Sequence, residues 1–198
     1  MLPHLTTFFN HVLLTGLAFS DWKLSLIIPV PIKGDLSVPD NYRGIALMSI
    51  IAKLYNRCLL NRIKSSLDPL LRNSQNGFRS NRSTTQHILA LKRLVEEAQT
   101  KQNTNFIAVF IDFSKAFDSV FWTSLEAILL AYGVPRLLVT AILALYNGAQ
   151  AQVLSQFGLS EELINLQIGV LQGDTLAPYL FIIVIDYIPR KALIDLKN

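Results

Sequence analysis

Asp112 is the first residue in this chain whose setting suggests chemistry. It follows Phe106–Ile111 (FIAVFI), a continuous apolar run of strand length, the pattern of a strand buried on both faces. A carboxylate delivered at the exit of such a strand is costly unless it is solvated, paired or bound to a cation. Hard divalent ions such as Mg²⁺ take carboxylate oxygens and complete their shells with water and substrate phosphates, so a rigid strand end suits phosphoryl transfer. The plainer reading is an aspartate that caps the next helix, which is the commoner outcome for a lone Asp. Phe117, five residues on, reads by itself as a core aromatic.

Other blocks change that balance. Asp112-Phe113-Ser114-Lys115-Ala116-Phe117-Asp118 is followed by Gly169-Val170-Leu171-Gln172-Gly173-Asp174-Thr175-Leu176-Ala177-Pro178-Tyr179-Leu180-Phe181. It is preceded by Pro39-Asp40-Asn41-Tyr42-Arg43-Gly44-Ile45 and Asn76-Gly77-Phe78-Arg79-Ser80-Asn81-Arg82-Ser83-Thr84-Thr85. In this order the four blocks resemble the palm and fingers motifs of non-LTR retrotransposon reverse transcriptases, and the resemblance covers essentially the whole chain. It implies that Asp112 is the catalytic metal ligand, with the Phe113 carbonyl as a second contact. It also implies that Phe117 packs under the incoming sugar and that Gln172 and Gly173 sit beside the nascent base pair. Arg43 and Arg79 would contact the nucleotide and Arg82 the template; guanidinium groups stay charged and bind phosphate in a bidentate way. Asp118, near the metal or merely fixing the loop, and Lys33, in a stretch like the family's entry segment, stay open. Ala177 stands where the family more often has Ser.

The resemblance carries expectations for the whole molecule. The fold would be α+β, a right-hand polymerase with a basic, helical fingers-like part at 1–104 and a partial palm at 105–198. The cofactor would be Mg²⁺, two ions in the intact family; the partners would be an RNA template, a DNA primer and a dNTP. The family completes its two-metal site with an aromatic-variable-Asp-Asp hairpin. This chain has no Asp-Asp pair, and Asp186 stands alone inside an expected helix. The expectation is therefore a domain cut short of that hairpin and of the thumb, and inactive by itself. Other readings remain: a non-catalytic nucleic-acid-binding module or a domesticated or relic transposon protein, and an apolar domain that binds another protein.

Composition fits a core-rich chain. Apolar residues make up 51% and charged residues 16% of its 198 residues, which excludes a disordered chain. No apolar run reaches the 18 or so residues of a membrane span. The Val12–Phe19 patch lacks a Lys/Arg-rich leader, so no signal peptide is expected. A single cysteine, Cys58, rules out an internal disulfide and suits a reducing, intracellular setting. Charge is asymmetric: residues 22–104 hold 13 Lys/Arg against 5 Asp/Glu, and residues 105–198 hold 5 against 8. A polyanion held by one part and a cation by the other would explain it; so would a solvated basic helical surface.

The elements that must position these residues are legible in outline. Leu5, Phe8, Phe9, Val12 and Leu13 recur at helical spacing. Residues 24–30 read as a strand. A helix begins near Ser49, with Ile50, Ile51, Leu54, Tyr55, Cys58, Leu59, Ile63 and Leu67 on its apolar face. Ser83 and Gln86 suggest a capping box for a third helix whose face is Ile88, Leu91, Leu94, Val95 and Ala98. Helices over about 122–132 and from Pro135 to Asn147 follow, then strand-like runs at 152–157 and 163–170, then a helix from Pro178 up to Pro189.

Overall fold

The computed structural model describes residues 2–101, 106–156 and 158–195. Among these residues are seven α-helices and a small mixed sheet: α1 (Leu2–Thr15), α2 (Ser20–Lys23), α3 (Ile50–Leu67), α4 (Thr84–Thr100), α5 (Trp122–Ala131), α6 (Arg136–Tyr146) and α7 (Ala177–Asp195). The strands are β1 (Leu24–Pro31), β2 (Tyr42–Leu47), β3 (Gln150–Ser155), β4 (Gly158–Leu159) and β5 (Ile164–Asn165). β1 pairs antiparallel with β2, from Leu26↔Leu47 to Pro31↔Tyr42, and parallel with β3, from Leu24↔Gln150 to Ile27↔Val153. The parallel pair joins the first quarter of the chain to the last, so the two halves share one sheet. The expected boundary between residues 104 and 105, and Phe157, lie outside the described residues.

Apolar spacing explains the core. Leu59, Ile63 and Leu67 of α3, Leu125 and Leu129 of α5, Val139 and Ile142 of α6, and Leu180 and Ile183 of α7 are buried against one another. Phe8, Phe9, Trp22 and Tyr55 meet at ring-centroid distances of 5.2–6.1 Å and dock α1 and α2 on α3, in edge-on and tilted geometries that aromatic quadrupoles favour. Gly133, at φ +80, ends α5 as expected.

Several expectations are corrected. Phe106–Ile111 is not a buried strand: no strand lies beside it among the described residues, and Ile107 and Phe110 are 84% and 82% exposed. A strand exists only with a ladder partner, and the sheet ends at β2 on one side and at β4 and β5 on the other. The α3 face is buried as expected at Tyr55, Leu59, Ile63 and Leu67, but not at its start: Ile50, Ile51 and Leu54 are exposed, while Ala52, Asn56 and Leu60 are buried, Asn56 bonding Asp174. α4 forms where expected but buries no residue, and Ser83 makes no side-chain capping bond. The 163–170 run yields only the two-residue β5, and β2 carried no sequence signal strong enough to be expected.

α7 does not stop at Pro189 but runs through it to Asp195. Asp186 and Arg190 straddle the proline with a 2.6 Å ion pair across one helical turn. Nor is Asp186 alone. Its fully buried carboxylate accepts hydrogen bonds from the Arg72 backbone N–H (3.1 Å), Arg72 Nε (2.8 Å), Tyr132 OH (2.6 Å) and Arg190 Nε. α7, the end of α5 and the loop after α3 thus meet on one carboxylate. Burial pushes its pKa up, but the bonds from Tyr132, Arg72 and Arg190 outweigh that and bring it down to about 2. A carboxyl depressed below its unfolded value of about 3.9 stabilises the fold above that pH and loses the contribution as pH falls through the folded value. Asp186→Asn is therefore expected to lower unfolding free energy by roughly 2–4 kcal/mol at pH 7. In urea titrations across pH, the gap to the wild type should narrow between about pH 4 and pH 2.

Candidate functional site

The site is built where two loops and a strand are forced together. Residues 112–121 and 167–174 are tied by two backbone bonds, Gly169 N to Val120 O and Val170 N to Phe117 O, both 2.8 Å. The Trp122 indole N–H donates to Gly169 O at 2.8 Å. Gly169, at φ +95, lies so close that a Cβ there would sit 3.0 Å from Asp118 Cα.

The third partner is β2. Ala46 N donates to Gln172 O at 2.6 Å, and a Cβ on Gly173, at φ +112, would lie 2.3 Å from Ala46 O. Only glycine tolerates both that conformation and that approach. On the far side, the Asp174 carboxylate accepts Asn56 Nδ2 at 2.8 Å and the backbone N–H groups that open α7. Burial raises its pKa against those bonds, so this acid is spent on architecture.

Between these loops lies a cavity of about 460 Å³, lined by Arg43, Gly44, Phe78, Phe113, Lys115, Phe117, Asp118 and Gln172 among others. Residues from four distant sequence blocks thus meet in one place. The Arg43 side chain makes no hydrogen bond or ion pair among the described residues, so its guanidinium is available to an anion. Phe117 is half-buried, stacked on Phe181 with centroids 4.7 Å apart and met edge-on by Phe78 at 6.1 Å. It is both a core-packed aromatic and a cavity wall. Asp118 is raised by partial burial, opposed by the Lys115 charge. Gly173 shapes the cavity through Gln172 without lining it, and Lys33 is not among the lining residues.

Two arginines expected at a ligand are turned elsewhere. Arg79 is 7% exposed and all five of its N–H donors are engaged. Nε and NH2 grip the Asp68 carboxylate (3.1 and 3.0 Å), NH2 also reaches Asp68 O, and NH1 bonds Arg72 O and Gln75 O. It cross-links the 68–79 loop. Arg82 bonds Asn73 O and Asn73 Oδ1 and folds the same loop from its other end. The physical reason is local: the loop's carbonyls have no ladder or helix to satisfy them, and a guanidinium fork supplies donors in the right plane. Sequence pattern could not separate this use from phosphate binding, because both ask for the same chemistry.

Asp112 lies exposed at the end of the unpaired 106–111 segment and does not line the cavity. Among the described residues no three His, Cys, Asp or Glu side chains cluster closely enough to hold a metal ion. One exposed carboxylate and a carbonyl do not by themselves fit a resident magnesium ion. No helix among the described residues is long and apolar enough to cross a membrane.

Residues 31–194 match the family described as "Reverse transcriptase (RNA-dependent DNA polymerase)". The chain is 28% identical over 174 residues to the Retrovirus-related Pol polyprotein from type-1 retrotransposable element R2 of Popillia japonica, covering 88% of this chain and 24% of that protein. It is 29% identical over 170 residues to the corresponding polyprotein of the type-2 element R2DM of Drosophila melanogaster, covering 85% and 16%. With the RNA-directed DNA polymerase from mobile element jockey of the same fly it shares 26% over 187 residues, covering 91% and 20%. The chain thus spans about a sixth to a quarter of the length of these relatives.

Two substitutions test this geometry. Gly173→Ala is expected to cost several kcal/mol of stability, or to part the 167–174 loop from β2, since nothing can relieve a backbone oxygen at 2.3 Å; urea unfolding and the Ala46 amide exchange rate report it. Arg79→Ala should cost about 2–3 kcal/mol by leaving Asp68 and three carbonyls short of donors, with anion binding in the cavity retained once the protein is folded.

Proposed function

The chain belongs to the reverse transcriptase (RNA-dependent DNA polymerase) family, of the kind carried by non-LTR retrotransposons, and from this premise we propose that its cavity receives the incoming nucleotide of template-directed DNA synthesis. The observation that carries the proposal is the meeting of Arg43, Phe117 and Gln172 in one cavity from positions far apart in sequence. Arg43, whose side chain has no partner among the described residues, faces the triphosphate. Phe117, braced by Phe181, packs under the sugar. Gln172, held by Ala46 through its backbone, leaves its amide able to bond sugar or base edges without adding charge. Gly173 permits the close approach, and Arg79 and Arg82 hold the loop beside the site.

In the same reading, residues 1–104 are the fingers and 105–198 part of the palm of a right-hand polymerase. Asp112 and the Phe113 carbonyl contribute one half of a divalent-metal ligand set. Its other half in the family is an Asp-Asp pair that this sequence does not contain. Positioning and metal effects in phosphoryl transfer supply several kcal/mol each, and each 1.36 kcal/mol is tenfold in rate.

The 198-residue chain is accordingly expected to give no measurable primer extension on an RNA template with Mg²⁺. Robust incorporation that disappears in Asp112→Ala would refute the incomplete set.

A second reading, nucleic-acid binding without turnover, is favoured by the basic first half. There Arg57 and Arg62 of α3 are exposed and form no ion pair among the described residues. Binding of single-stranded RNA should weaken with salt, log K against log [salt] falling by roughly 0.7 for each phosphate contacted. A salt-independent affinity would remove that reading.

A further inference from the structure

The cavity mouth is crossed by one ion pair. Lys115 Nζ donates to Asp40 Oδ1 at 2.9 Å, joining the 112–121 loop to the 39–41 turn just before β2. Both residues also line the cavity that contains Arg43. Their side chains are 67% and 77% exposed, so water and salt screen the pair and little holds it shut. Lys115 sits at φ +47, a conformation a non-glycine residue adopts at some cost. A compact, mobile ammonium suits phosphate as a point charge, and Asp40 is its resting partner.

Resting on the nucleotide-site reading above, we infer that Asp40 is a displaceable counterion: it parks Lys115 across the cavity mouth until a polyphosphate takes that lysine together with Arg43. Binding an anion then opens the tie between the 112–121 loop and the 39–41 turn. A triphosphate presents more negative charge to Lys115 and Arg43 together than the single Asp40 carboxylate presents to Lys115, so it competes with Asp40 for the lysine. Asp118, the other acid lining the cavity, is also felt electrostatically by Lys115, but it forms no ion pair with it among the described residues.

The test is equilibrium binding of inorganic tripolyphosphate to the 198-residue chain at low ionic strength, with folding of each variant checked by thermal melting. Asp40→Asn should tighten binding roughly two- to fivefold, and Lys115→Met should weaken it by a similar factor. In Asp40→Asn/Lys115→Met the gain from the first change should vanish, because the counterion has lost the charge it neutralised. A gain that persists without Lys115 would mean that Asp40 only repels anions in general, and the inference fails. Wild-type binding untouched by either single change overturns it equally. Arg43→Ala separates the two levels: if it binds like the wild type, or if the wild type does not bind at all, the nucleotide-site reading falls as well.

Discussion

Everything at the site depends on one close approach, that of the 172–173 backbone to Ala46 on β2. A 2.6 Å hydrogen bond and a glycine with no room for a side chain press a loop from the last quarter of the chain onto a strand from the first. Without that contact Arg43 and Gln172 would stand on separate surfaces. The rest of the architecture protects it. β1 carries β2 on one side and β3 on the other. Asn56 and the first N–H groups of α7 fix Asp174 one residue beyond the glycine. Asp186 then pins the middle of α7 to the loop after α3 and to the end of α5.

Buried polar groups divide the labour. Asp174, Asp186 and Arg79 are each saturated by named partners, as buried charges must be. They hold loops in place and are not presented to ligand. The cations of the cavity wall that keep capacity are exposed: Arg43, whose side chain has no partner among the described residues, and Lys115 with a weak one. Asp112 is at the tip of an apolar segment that nothing covers among the described residues. An exposed run of Ile107, Val109, Phe110 and Ile111 is the kind of unpaired edge that templates association with another strand.

Much of this was legible in the residues, and the failures have physical causes. Helices α1, α3, α5 and α6 and strand β1 were apparent because apolar spacing and Gly or Pro stops are local signals. The family was apparent because four ordered blocks of unusual composition cannot be mimicked by amphipathic patterning. What was not legible is what depends on distant partners. Phe106–Ile111 has the composition of a buried strand, yet burial is decided by the neighbour and not by the segment. Arg79 and Arg82 have the composition of phosphate ligands, yet a loop rich in unsatisfied carbonyls claims them first. The burial of Asn56 on α3 could not be seen either, because its partner is an aspartate 118 residues away.

The central claim is that the 112–121 loop, the 167–174 loop and β2 form one anion-accepting nucleotide cavity, while the 68–82 arginines serve structure alone. Titrating a dNTP into isotopically labelled chain and following backbone amide shifts tests it most directly. The account predicts movement at Arg43, Lys115, Phe117 and Gln172, with Arg79 and Arg82 unmoved. Shifts centred on Arg79 and Arg82 with a silent cavity would contradict it.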